Sequence, residues 1–144
     1  METGVAFARL DLEAGERFVS LRRALGVTSF GINLMLLESG QRGRIHRHQR
    51  QEEVYLVVEG VLTLVVEGEE HDLGAGELAR VAPEVRRQLV NRGPGRAALV
   101  ALGGANAHDG RDGEAFAGWD DADPHPPAGV PLPEDLPAEE RRAG

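Results

Sequence analysis

Between about Glu16 and Leu102 the sequence breaks into eight short β-rich runs, and this rhythm constrains the fold more than any other feature. The runs cover residues 17–21, 29–38, 44–48, 53–59, 61–67, 77–82, 86–91 and 96–102. Glycines such as Gly40, Gly60, Gly68, Gly76 and Gly93 fall between or beside them, where turns need flexibility or positive φ. No amphipathic helix separates the runs, and only Arg22–Leu25 offers a helical turn. Short strands at such spacing predict an antiparallel sandwich or barrel. A length of 144 residues suits one domain with its own core and is short for two.

Flanking this region, residues 1–15 read as an N-terminal arm, 16–104 as the β-barrel and 105–144 as an acidic, proline-rich tail. Residues 1–107 carry 13 Arg against 14 Asp and Glu, whereas residues 108–144 carry 3 against 10. The net charge of −8 therefore sits mostly in the tail. With proline dense and apolar periodicity gone, the tail is expected to be extended or disordered. Phe116 and Trp119 are its exceptions, placed to anchor part of it on the barrel or on a second subunit.

Several function classes are excluded or disfavoured. The chain has no cysteine, so it has no thiol nucleophile, Cys-ligated zinc or disulfide framework. All sixteen basic residues are arginine, which excludes a Schiff-base lysine. An acidic chain without a basic face is a poor nucleic-acid partner. No run of 18 apolar residues predicts a membrane span, and the first residues show no secretory h-region. The expected compartment is the cytoplasm.

The chemistry concentrates in Gly40 to Gly60. On a strand, His46 and His48 point to one face, and a short turn at Gln49–Gln51 leads into a strand opening with Glu53. An antiparallel neighbour can return that carboxylate opposite the two imidazoles. Two imidazoles and one carboxylate form a facial ligand set with open positions, suited to one divalent Fe, Mn, Ni, Zn or Co ion. A lone His-x-His pair is more often structural, but a glutamate at matching distance would be costly to bury unpaired. Tyr55 shares the parity of Glu53 and is expected inside, as core or pocket lining. Glu52 is expected to face outward. Arg42, Arg44, Arg47 and Arg50 are expected on the solvated surface, and His71 in an exposed turn.

Gly40, His46, His48, Glu53 and Gly60 match every defined position of the first cupin motif, G-x5-H-x-H-x4-E-x6-G. Over about residues 29–102 the chain resembles the cupin superfamily. The resemblance implies an all-β double-stranded β-helix, a jelly-roll barrel, with a metal in its wider mouth and a homodimer formed through its sheets. The second motif, G-x5-P-x-G-x2-H-x3-N, departs: Gly76 and Asn91 match, but Ala82, Glu84 and Arg87 replace the proline, glycine and histidine. The usual fourth metal ligand is missing, and a guanidinium cannot ligate a metal. Three readings stay open. Water fills the fourth position, or Arg87 pairs with Glu53 in place of a metal, or Arg87 holds a substrate anion by a bidentate contact.

The ligand-binding candidates are thus Arg87, Tyr55 and Asn91, and the expected partner is a small anionic organic molecule. One function is a metal-dependent oxygenase, isomerase or decarboxylase. The alternative is a non-catalytic ligand-binding cupin in which Arg87 replaces the fourth ligand.

Overall fold

A computed structural model of the chain describes residues 4–104 and 112–142. Among the described residues, ten strands make two five-stranded antiparallel sheets, and helix is almost absent. β1 (Phe18–Ser20) leads into a five-residue helix, α1 (Leu21–Leu25), and then β2 (Gly31–Leu37). β3 (Ile45–His48), β4 (Glu52–Glu59), β5 (Val61–Val66) and β6 (Glu69–Gly74) follow. β7 (Leu78–Val81), β8 (Arg87–Val90), β9 (Ala97–Gly104) and β10 (Gly113–Phe116) complete the set. The first sheet runs β1-β2-β9-β4-β7 and the second β10-β3-β8-β5-β6. This is the expected all-β jelly roll. Among the described residues no helix is long and apolar enough to cross a membrane.

The two sheets close on Leu37, Tyr55, Val57, Leu62, Leu64, Val81, Leu89, Leu99 and Ala101, drawn from six strands. β9 lies in the middle of its sheet, and its run Ala97–Ala101 is buried throughout. A strand covered on both faces reads as a continuous apolar run, as AALVAL does. Helix α1 ends at Gly26, whose φ of 74° is a left-handed cap. Leu21 packs with Leu34, Leu36 and Ala98 on the outer face of the first sheet.

Two strands lie outside the eight expected runs. EEHDLG forms β6, so His71 sits on an exposed strand and not in a turn. Charged residues there have weak strand propensity, and the hairpin imposes the conformation. Val66 and Glu69 are register partners, and Glu67 and Gly68 between them take φ of 44° and 90°. Positive φ at both loop positions is the twist-matched hairpin geometry.

The second lies in the expected tail. β10 pairs with β3 from Gly113↔His48 to Phe116↔Ile45. Beyond it, Ala115 and His125 exchange backbone hydrogen bonds, Leu136 N–H donates to the Gly40 carbonyl, and Arg142 N–H donates to the Arg92 carbonyl. Residues 112–142 are therefore seated on the barrel rather than extended away from it; 105–111 lie outside the described residues. The average composition concealed a few apolar anchors. Phe116 is buried beneath the Arg86 and Arg47 guanidinium groups, at 3.8 and 5.1 Å from its ring centre. Trp119 packs against Val65, Val90 and Leu136.

The arginines expected on the solvated surface meet this segment. Arg42 Nε donates to the Glu134 carbonyl, Arg44 Nε to the Val130 carbonyl and Arg47 Nε to Glu114. The tail thus meets this arginine row through two backbone carbonyls and one carboxylate.

Candidate metal centre

β3 and β4 present the ligand set as their alternation requires. His46 and His48 project from one face of β3, with ring centres 5.3 Å apart and planes at 86°. Glu53, the second residue of β4, lies beside Gly103 of β9. A Cβ at Gly103 would stand 3.1 Å from Gln51 Oε1 and 3.5 Å from Glu53 Cγ, so glycine there leaves room for the carboxylate. One ligand atom from each of His46, His48 and Glu53 lies within 4.8 Å of the others. Glu52 points outward and pairs with Arg80 at 2.8 Å.

Glu53 Oε1 is the hub. It accepts from Arg87 Nη2 at 2.7 Å and from the Tyr55 hydroxyl at 2.5 Å. His48 Nε2 and His46 Nε2 stand 3.2 and 3.4 Å from the same oxygen. Burial alone would raise the Glu53 carboxyl, but the His46 and His48 rings beside it hold it well below the usual range. Burial, then the Glu53 charge, pushes the Tyr55 phenol well above its usual range.

The donor chemistry fits a cation. His46 Nδ1 lies 3.2 Å from the Arg44 carbonyl, which only accepts, so that nitrogen carries the proton. In the neutral ring Nε2 then has a lone pair facing the Glu53 oxygen, and two acceptors face one another. Both nitrogens of His48 are buried without a hydrogen-bond partner among the described residues. Buried orphaned nitrogens are costly, and a metal ion at Nε2 removes that cost. Behind His48, Asp112 Oδ2 stands 3.7 Å from Nδ1. Asp112 is itself fixed by the backbone N–H groups of Arg50 and Gln51, at 2.8–3.1 Å.

Of the three other residues singled out, Tyr55 is buried and lines the cavity that the cluster opens into. Arg87 is fully buried and sits directly opposite His46 in the β3–β8 register. Its Nε donates to Tyr55, its Nη1 to the carbonyls of Ala82, Pro83 and Val85, and its Nη2 to Glu53. Burial disfavours its charge, but the oxygens of Tyr55 and Glu53 hold the guanidinium above its usual range. Asn91 lies elsewhere. Its Nδ2 donates to the Leu37 and Gly95 carbonyls and its Oδ1 accepts from Gly93 N–H, which clamps a turn.

Sequence reasoning missed Asp112 and Gln51. The acidic tail facing a row of arginines was the available signal for the first, but nothing in the sequence fixes its register.

The cluster opens into a cavity of about 830 Å³, walled in part by Arg17, Ser20, Asn33, Met35, Gln51 and Leu132. The cupin-domain family model matches residues 33–103, the span that holds the cluster. The chain belongs to the cupin superfamily. No curated protein matches it. Among solved structures, a cupin protein from Bacteroides fragilis is 22% identical with a TM-score of 0.63, over 73% of this chain and 86% of that one. A sugar phosphate isomerase from a cupin superfamily, from Silicibacter pomeroyi, is 27% identical with a TM-score of 0.61. That match covers 88% of this cupin and 97% of the isomerase chain.

Proposed function

We propose that this cupin holds one divalent transition metal, Fe, Mn, Ni, Zn or Co, through His46 Nε2, His48 Nε2 and Glu53, and isomerises a small anionic sugar derivative. The observation that carries the reading is the convergence of three ligand atoms within 4.8 Å, with His48 nitrogens that have no hydrogen-bond partner among the described residues. The similarity to a sugar phosphate isomerase over nearly the whole chain favours isomerisation over oxygenation or decarboxylation.

When bound, such an ion would supply Lewis-acid polarisation of a substrate oxygen. The chain's own residues do the rest. Arg87 and Tyr55 fix the Glu53 carboxylate from behind, and the Arg44 carbonyl sets the tautomer of His46. Glu53 and Arg87 together are formally neutral and Asp112 behind His48 adds one negative charge, so a divalent ion would leave the buried cluster with a net positive charge. An anionic substrate offsets it, which is the electrostatic reason for expecting one. Arg87 serves ligand binding indirectly, through Glu53 and Tyr55.

Metal analysis of untagged protein tests the reading. About one equivalent is expected, lost in the His46→Ala, His48→Ala double variant. Less than a tenth of an equivalent of any transition metal would sink it.

The Arg87–Glu53 pair, at 2.7 Å, favours one second reading: a binding cupin in which the pair replaces the metal. Ligand binding unchanged by a chelator, with no product formed, would support that reading over the first. We also propose a homodimer. Phe18 on β1 and Leu78 on β7, at the two edges of the first sheet, are 53% and 60% exposed. Sedimentation as a clean monomer would remove that proposal.

A further inference from the structure

We propose that Arg17, Arg22 and Arg23 form a phosphate-binding rim, so that the substrate is a phosphate monoester spanning from this rim to the metal cluster. This rests on the cluster's proposed role and names the anion it serves. Arg17 precedes β1 and the other two lie in α1, and all three line the same cavity as His46, His48 and Glu53. Arg22 and Arg23 have no side-chain hydrogen bond or ion pair among the described residues. Arg17 Nη1 is buried without a hydrogen-bond partner, while its Nη2 stands 3.6 Å from Asp135. Buried guanidinium donors without partners are rare and call for an acceptor.

The neighbouring arginines do not share this property. Arg44, also on the wall, is engaged by the Val130 carbonyl, and Arg87 is engaged at all three of its nitrogens. Outside the metal cluster, Glu16 is the one carboxylate on the cavity wall among the described residues, so positive charge prevails at the rim. A phosphate monoester brings up to about two charges and three terminal oxygens, enough for several guanidinium forks. A carboxylate offers two oxygens and one charge, which a single fork satisfies. The cavity volume of about 830 Å³ suits a sugar-sized ligand.

Calorimetric titration of glycerol 3-phosphate, inorganic phosphate and glycerol into the full chain tests this, with Mn(II) present and again in EDTA. Both phosphates are expected to bind in both conditions, and glycerol in neither. The Arg22→Gln, Arg23→Gln double variant should weaken phosphate binding at least tenfold with metal uptake unchanged. Arg17→Gln should weaken it as well. Circular dichroism confirms that these substitutions leave the sheets intact. Equal phosphate binding by the double variant and the parent overturns the proposal, as does an absence of phosphate binding in both conditions. Phosphate binding that depends on the arginines in a protein that takes up no metal supports this rim and removes only the metal reading.

Discussion

Replacing Arg87 by methionine separates its two roles, as partner of Glu53 and as occupant of the fourth-ligand position. The guanidinium is fully buried and donates to Tyr55, three backbone carbonyls and Glu53. Methionine fills most of the volume but leaves the Glu53 carboxylate without its cation. Breaking a buried pair on one side costs about 3–5 kcal/mol. At about 2–4 °C per kcal/mol for a chain of this size, the Tm in EDTA should fall by roughly 6–20 °C. A divalent ion can then take over as the cation beside Glu53. In the parent an ion would compete for the Glu53 carboxylate with Arg87, whose Nη2 stands 2.7 Å from Oε1, but in the variant that competition is gone. An ion at about 1,000 times its Kd stabilises by about 4 kcal/mol, so saturating Mn(II) should recover at least half of the variant's deficit. Thermal unfolding of both proteins, with EDTA and with Mn(II), gives the four numbers needed. A variant within about 1 kcal/mol of the parent in EDTA, or a deficit that Mn(II) leaves unchanged, would refute the reasoning.

Asp112→Asn should weaken metal binding about 10- to 100-fold, measured by competition with a chelating dye, because it removes the carboxylate that faces His48 Nδ1. The same substitution should alter acid stability. Burial would raise the Asp112 carboxyl, but the N–H groups of Arg50 and Gln51 and the His48 charge hold it below its usual value. A lowered folded-state pKa gives stability that is present above the ordinary carboxylate range of about 4 and is lost as pH falls through the lowered value. Urea midpoints between about pH 5 and pH 2 should therefore fall less steeply in Asp112→Asn than in the parent. Gly60→Ala should cost about 2 kcal/mol or more in urea unfolding, because Gly60 has φ of 76° and a Cβ would collide with the Arg96 backbone carbonyl. Gly68→Ala, at a φ of 90° but with open space around it, should cost less.

The barrel was readable because its strands alternate or run apolar in a way that survives without context. Tyr55 inward and Glu52 outward follow from parity alone, and the structure places both so. The His46, His48 and Glu53 cluster was readable because strand period and one short turn bring it together. β6 was not readable, since EEHDLG is a strand only because the Glu67–Gly68 turn folds it onto β5. β10 was hidden for another reason. Its order comes from pairing with β3 and from long-range burial of Phe116, neither of which leaves a periodic trace in an acidic segment. The fate of Arg87 lay among three readings because parity gives its direction but not its partners. The sequence alone could not say that three backbone carbonyls would converge on it.

Pairing of β10 with β3 couples the chain's C-terminal segment to the His46, His48 and Glu53 cluster. Gly113 is the register partner of His48, and the strand that carries it also carries Phe116 beneath Arg86. Peeling this strand away would take Asp112 from His48 and bare the edge of β3 in one event. Whatever binds in the mouth must therefore favour the attached state of residues 112–142, and their attachment must favour binding to the same extent. The reach is long, since Leu136 holds Gly40 and Arg142 pairs with Asp72 on β6, at the opposite edge of the second sheet. Occupancy of an interior site thus becomes visible from outside, as slower amide exchange at Ala115 and Leu136 when metal is added. Exchange at those two amides that ignores metal would show that the tail and the site act independently.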